Sequence, residues 1–184
     1  MAQSWRVEAE RNKKHRPPLD AEALERLALH YVGKYATTRA KLRSYLNRKV
    51  RERGWDGSPE PDFEAIAERL SGLGYIDDEA FAVARASSLQ RRGYGARRVE
   101  QALRAAEIEE EDAAGARQQA QDGEWEAAMR FARRRRVGPF AAEVSDREAK
   151  QRAFAAMMRA GHPLDIVRKL LNTPPGDIPD SDKG

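Results

Sequence analysis

The chain has 184 residues, 40% of them apolar and 35% charged, with 34 Lys and Arg against 30 Asp and Glu. It has no cysteine, which excludes disulfides and thiolate metal sites and suits a reducing cytoplasm. No stretch approaches the roughly 18 continuous apolar residues of a membrane span, and the basic N-terminus lacks the apolar core of a secretory signal.

Helical periodicity begins after a basic stretch, residues 1–18, read as a disordered tail ending in Pro17 and Pro18. Leu24, Leu27, Ala28, Tyr31 and Tyr35 share one helix face, and Thr38 caps a second helix with the stripe Leu42, Tyr45, Leu46 and Val50. Pro59 and Pro61 mark the next join, and Asp62 caps a third helix carrying Phe63, Ile66, Ala67, Leu70 and Leu73. Asp77 or Asp78 starts a fourth that runs to Gln90; Val99, Ala102, Leu103 and Ala106 define a fifth. Alanine supplies most apolar positions of the fourth and of a sixth near 111–121. Trp125, Ala128, Met129 and Ala132 form a seventh, Asp146 caps an eighth, and Leu164, Val167, Leu170 and Leu171 form a ninth. Prolines and glycines gather at the joins, and no alternating strand interrupts the series. Residues 172–184, with three prolines, read as a second disordered tail.

The nine helices fall into three groups of three, so the expected fold is all-α: tandem three-helix, helix-turn-helix-like repeats at 19–75, 76–122 and 123–171. Alanine makes up much of the apolar content, which favours several thin cores over a thick one. A unit of about 50 residues buries little surface alone, which favours stacking. The second helix of each group is basic: Thr38-Arg39-Ala40-Lys41-Leu42-Arg43 in the first, Gly95-Ala96-Arg97-Arg98-Val99 in the next, and a weaker copy at Ala149–Ala153.

Charge is segregated along the chain. Residues 39–53 hold seven basic residues against Glu52, and 85–104 hold six against Glu100. Residues 107–126 then hold eight carboxylates and only Arg117, before Arg130 and the Arg133–Arg136 run reverse the sign. A surface built for solubility alone would intersperse the signs. Grouping by helix, with arginine dominant, points to an anion-facing surface, because the guanidinium fork bonds phosphate or carboxylate in pairs. Part of the acidic run is accounted for by the dipole at a helix N-terminus.

Chemistry-bearing alternatives are weaker. Asp77-Asp78-Glu79 reads as a helix cap, not a metal site. Gly93-Tyr94-Gly95 follows no strand and lacks the lysine and hydroxyl of a phosphate loop. His15, His30 and His162 are isolated, with His30 and His162 expected at the surface or between helices, and no nucleophile–base set can be assembled. No enzyme activity, metal or cofactor is expected.

Four ordered motifs carry a resemblance. Thr38-Arg-Ala-Lys-Leu-Arg-Ser-Tyr-Leu46, Leu70-Ser-Gly-Leu-Gly-Tyr-Ile-Asp-Asp-Glu-Ala-Phe81, Gln90-Arg-Arg-Gly-Tyr-Gly-Ala-Arg-Arg-Val99 and Gln151-Arg-Ala-Phe through Gly161-His-Pro-Leu-Asp-Ile-Val-Arg-Lys-Leu170 are similar to elements of the RecX family. Ala96 stands where that family usually has proline, and Lys41 where it has an acidic residue. The resemblance spans about Leu24 to Leu171. It implies an elongated, curved array lodged in the groove of a RecA filament on single-stranded DNA. It also implies modulation, mostly inhibition, of strand exchange, ATP turnover and co-protease activity. The contact residues expected are Arg39, Lys41, Arg43, Arg91, Arg92, Tyr94, Arg97, Arg98, Arg104, Arg133 and Arg134, with the adjoining Arg135 and Arg136 of the same run. Tyr94 has two readings, an exposed contact or a ring packed under its turn, with packing favoured. A cytoplasmic monomer is expected. Two other readings stay open: a helical module that binds DNA directly, and a repeat scaffold for an acidic protein.

Overall fold

Asp20, Thr38, Asp62, Asp77 and Asp146 each accept a hydrogen bond from the backbone N–H three residues on, at 2.7–3.2 Å. These caps satisfy N–H groups that a helix start leaves unpaired. They open five of the nine α-helices that the computed structural model places among its described residues, 16–180. In chain order these are α1 (Ala21–Lys34), α2 (Arg39–Arg53), α3 (Phe63–Gly72), α4 (Asp78–Arg91), α5 (Ala96–Arg104), α6 (Glu110–Asp122), α7 (Glu124–Arg135), α8 (Arg147–Arg159) and α9 (Leu164–Asn172). A short 3₁₀ turn, Gly138–Phe140, follows α7. The chain is all-α, as its periodicity predicts. Of the two aspartates proposed to start α4, Asp77 is the cap, and Asp78 is buried in the first turn.

The buried apolar residues form three clusters. In the first, Leu24 and Ala28 of α1 meet Leu42 and Leu46 of α2 and Ile66, Ala67 and Leu70 of α3. Leu19 completes it in a way that periodicity does not reveal. Its N–H donates to Gly54 O at 3.0 Å, its carbonyl accepts from Asp56 N–H at 2.9 Å, and its side chain is fully buried. The Arg53 guanidinium donates to Pro17 O from Nε and Nη2, at 3.0 and 2.7 Å, so the end of the expected N-terminal tail is held against α2. Residues 1–15 of that tail lie outside the described residues.

The second cluster is lined largely by alanine: Ala82 and Ala86 of α4 face Ala113, Ala116 and Ala120 of α6, with Leu89, Val99, Leu103 and Ile108 as its large members. Small side chains let α4 and α6 approach closely. The third cluster joins Ala128, Phe131 and Ala132 of α7 to Met157 of α8 and Val167, Leu170 and Leu171 of α9. Tyr94 packs against both the second and third clusters. The chain divides into two compact units, 1–76 and 77–184; the second holds both of these cores. Part of the expected C-terminal tail packs on the third: Gly176 N–H donates to Pro139 O at 3.0 Å, and Lys169 Nζ to Asp180 O at 2.9 Å.

Leu103 is the test of the alanine-lined core, because its alanine neighbours offer no side chain long enough to refill a cavity. Leu103→Ala should cost about 3–5 kcal/mol, toward the upper end for such truncations, in the urea unfolding of the full chain. A loss below about 1 kcal/mol would contradict this packing.

Candidate functional site

In the first unit the basic helix is largely tied up locally. Arg39 donates to Glu68 at 3.0 Å and Arg43 pairs with Glu64, both carboxylates on α3; all three basic candidates here, Arg39, Lys41 and Arg43, are half-buried. The partners lie 29 and 21 residues away, beyond the reach of any local pattern. Tyr45 stacks on Tyr31 with ring centroids 4.1 Å apart, and Arg48 and Lys49 lie over the Tyr45 ring at 5.6 and 5.8 Å. Arg48 and Arg51 are the exposed cations of α2's outer side.

The second unit differs. Arg91 and Arg92, at the end of α4, and Arg97 and Arg98, in the first turn of α5, are all exposed. Among the described residues none of the four has a carboxylate within salt-bridge distance; Arg98 instead donates to the Gln101 side chain at 3.1 Å. Two arginines of α7 join them. Arg130 donates to Gln90 O at 3.3 Å, and Arg134 donates to Arg92 O. The last carbonyls of a helix carry partial negative charge, so guanidinium groups are stabilised there. Arginines about forty positions apart in sequence thus meet at the end of α4, with Arg97 and Arg98 a short turn further along the chain. Arg92 lies 5.3 Å from the Tyr94 ring centroid, and Arg133 lies 4.9 Å from that of Phe140. Tyr94 is half-buried and packs against the second and third clusters, the reading favoured from its turn.

Arg104 is placed apart from this cluster. It donates to Glu100 at 2.6 Å, and Glu100 also accepts from Arg117 of α6 at 2.7 Å, with Glu110 on Arg117's other side. The Arg117 hydrogen bond, reinforced by Arg104, holds the Glu100 carboxyl below the usual range, and the Arg117 guanidinium is raised in turn. Glu100 therefore braces α5 against α6 through Arg117, while Glu110, of the acidic stretch, pairs with Arg117 within α6.

The turn and helix start that present Arg91–Arg98 are fastened from the α7–α9 side. Gly95 offers α5 no side-chain cap. Instead Gly95 N–H donates to Ala160 O at 3.0 Å and Arg97 N–H to Gly161 O at 3.3 Å, with the Glu124 carboxylate facing the Ala96 N–H. Backbone meets backbone here: a Cβ on Gly95 would lie 2.4 Å from Gly161 O. Gly161 has φ of +91°, and a Cβ there would lie 2.5 Å from Arg98 N, so both positions require glycine. His162 is fully buried, its Nε2 3.1 Å from Gly93 O and its ring edge-on to Phe131. A carbonyl only accepts, so Nε2 carries the proton. Nδ1 is buried without a partner, which fits the neutral ring. Burial lowers the His162 pKa to about 4, opposed by the bond to Gly93. Burial and the nearby Asp165 raise Glu124, against the Ala96 N–H and Arg97.

Sequence reasoning missed Arg130, Glu124, Gly161 and His162 as parts of this site. A Gly-His-Pro turn placed after an alanine-rich helix end was the available signal for two of them. Among the described residues no group of three or more His, Cys, Asp or Glu could hold a metal ion, and no helix is long and apolar enough to cross a membrane.

Helix groups that present exposed arginines at a braced helix start define a class: an all-helical protein with a cationic face. Comparison with known proteins narrows it. The family model described as RecX, second three-helix domain, matches residues 77–116. The regulatory protein RecX of Myxococcus xanthus (strain DK1622) is 33% identical over 176 residues, covering 90% of this chain and 93% of that protein. That of Agrobacterium fabrum (strain C58) is 31% identical over 148 residues, covering 78% and 79%. The fold is similar to the crystal structure of RecX from Lactobacillus salivarius, with a TM-score of 0.60 at 18% identity, covering 81% of this chain and 92% of that one. A second crystal structure of regulatory protein RecX gives 0.59 at 22% identity, covering 81% and 73%. The chain belongs to the RecX family of regulatory proteins. With that membership it is a regulator that modulates RecA, not an enzyme.

His162 gives a pH test. Its folded pKa of about 4 lies below the ordinary 6.5, so the unfolded chain binds the proton more readily. The stability linked to neutral His162 is complete above pH 6.5 and is lost as pH falls toward 4. Between pH 7 and 4.5 that amounts to about 2–3 kcal/mol. Urea unfolding at the two pH values should show His162→Gln lacking that part of the wild-type slope; equal slopes would contradict the burial.

Proposed function

We propose that this chain modulates RecA by binding the RecA filament on single-stranded DNA, as a cytoplasmic monomer, and that the outcome is mainly inhibition of strand exchange, ATP turnover and co-protease activity. The observation that carries the reading is the cationic cluster of the second unit, where Arg91, Arg92, Arg97 and Arg98 stand exposed with no salt bridge to a described residue. Such a cluster repels itself and gains most from an anionic partner. A filament supplies carboxylates of the recombinase and phosphates of its DNA, and the guanidinium fork suits both. Arg133 and Arg134 extend the face, and Arg39, Lys41, Arg43 and Arg104 play a smaller part, because Arg39, Arg43 and Arg104 are already bonded to carboxylates. Several weak contacts from successive helix groups add up when they engage one long partner. Contact with DNA alone is the second reading, favoured by arginines lying over Tyr94 and Phe140.

Co-sedimentation with bare single-stranded DNA and with RecA-coated DNA holding a non-hydrolysable nucleotide separates the two. Strong binding to the coated strand and weak binding to the bare one is expected; equal binding would overturn the filament reading. The double variant Arg97→Glu, Arg98→Glu should weaken filament binding by about tenfold or more with unchanged circular dichroism. Retained affinity would show that the contact face lies elsewhere.

A further inference from the structure

Within the second unit, two groups outside the contact face are arranged to hold it. Glu124 and His162 come from α7 and from the α8–α9 turn, yet both face the segment that carries the exposed arginines. Glu124 faces the Ala96 N–H at the bare start of α5, and His162 Nε2 donates to the Gly93 carbonyl in the turn before it, at 3.1 Å. With the amides of Gly95 and Arg97 bonded to Ala160 O and Gly161 O, three hydrogen bonds tie residues 93–97 to the neighbouring helix group. An ordinary cap would be a Ser, Thr or Asp at position 95 itself. Position 95 must be glycine for the backbones to meet, so the cap is supplied from outside the helix. A buried polar group is costly unless bonded. His162 is retained where an apolar ring would pack on Phe131 as well, and its one hydrogen bond goes to the arginine-bearing turn.

We propose that Glu124 and His162 are positioning residues for the arginine face: acting through the backbone of Gly93 and Ala96, they fix the direction in which Arg91–Arg98 is presented to the partner. The proposal rests on the function proposed above, and its test separates the two. Amide hydrogen exchange of the free protein reports positioning without any partner. His162→Leu and Glu124→Ala should each speed exchange at Gly95, Ala96 and Arg97 by about tenfold or more, while amides of the α4–α6 core keep their protection. The same variants should bind RecA-coated DNA about tenfold more weakly, and His162→Gln and Glu124→Gln, which keep a donor and an acceptor respectively, should recover most of it. In a background with Arg91, Arg92, Arg97 and Arg98 all changed to alanine, His162→Leu should cause no further loss, since there is no face left to position.

Unchanged exchange at residues 95–97 would overturn the proposal. So would faster exchange with undiminished filament affinity, or a loss that adds in full to the alanine background. Should His162→Leu fail to fold, Glu124→Ala, at a half-buried surface position, gives the same readouts. If the wild-type chain itself ignores RecA-coated DNA, the function proposed above fails while the exchange result still decides the junction.

Discussion

At the start of α5 the backbone of one helix group approaches that of the next closely enough that Gly95 and Gly161 leave no room for a Cβ. The N–H groups of Gly95 and Arg97 find acceptors outside their own helix there, and the Glu124 carboxylate faces that of Ala96. The remaining features of the second unit depend on this contact. It joins the cores on either side of Tyr94, it supplies the cap that α5 lacks, and it brings α7 near enough for Arg130 and Arg134 to reach the carbonyls that end α4.

The electrostatic consequence is a division of labour among arginines that are alike in sequence. Arg39, Arg43 and Arg117 are bonded to carboxylates of a neighbouring helix, and Arg104 to Glu100 of its own. Partly exposed pairs of this kind contribute little stability, about 0–1 kcal/mol each; their effect is to neutralise those positions locally. Arg91, Arg92, Arg97 and Arg98 are left exposed, next to a helix C-terminus that also holds Arg130 and Arg134. Exposed cations collect where internal carboxylates are withheld, not merely where arginine is abundant.

Much of the fold was legible in the sequence because its signals are local. Thr38, Asp62 and Asp146 cap the helices they were expected to cap, and Leu42, Leu46, Val167, Leu170 and Leu171 face cores, whereas Tyr35, Leu73 and Leu164 of the expected stripes are exposed. RecX membership was legible too, since the motif Gln90–Val99 lies within the region that the family model matches and the end of Leu70–Phe81 reaches into it. What could not be read depends on distance across the chain. Leu19 is a lone apolar residue after two prolines, and only the pairing with Gly54 and Asp56 makes it core. The salt bridges of Arg39 and Arg43 need α3 folded against α2. His162 looked isolated because its partner, Gly93, lies 69 residues earlier and bonds through its backbone, which leaves no side-chain signature.

The central claim is that the start of α5 meets the partner. The direct measurement is photo-crosslinking from Gln101, which is exposed one turn beyond Arg97 and Arg98, with Glu148 as control. Glu148 is exposed near the start of α8, roughly 17 Å along that helix from the Gly95–Gly161 contact at its end. With RecA-coated single-stranded DNA, a photoreactive residue at 101 should cross-link to RecA or to the strand, and one at 148 should not. Cross-links from 148 equal to or stronger than those from 101 would contradict the account.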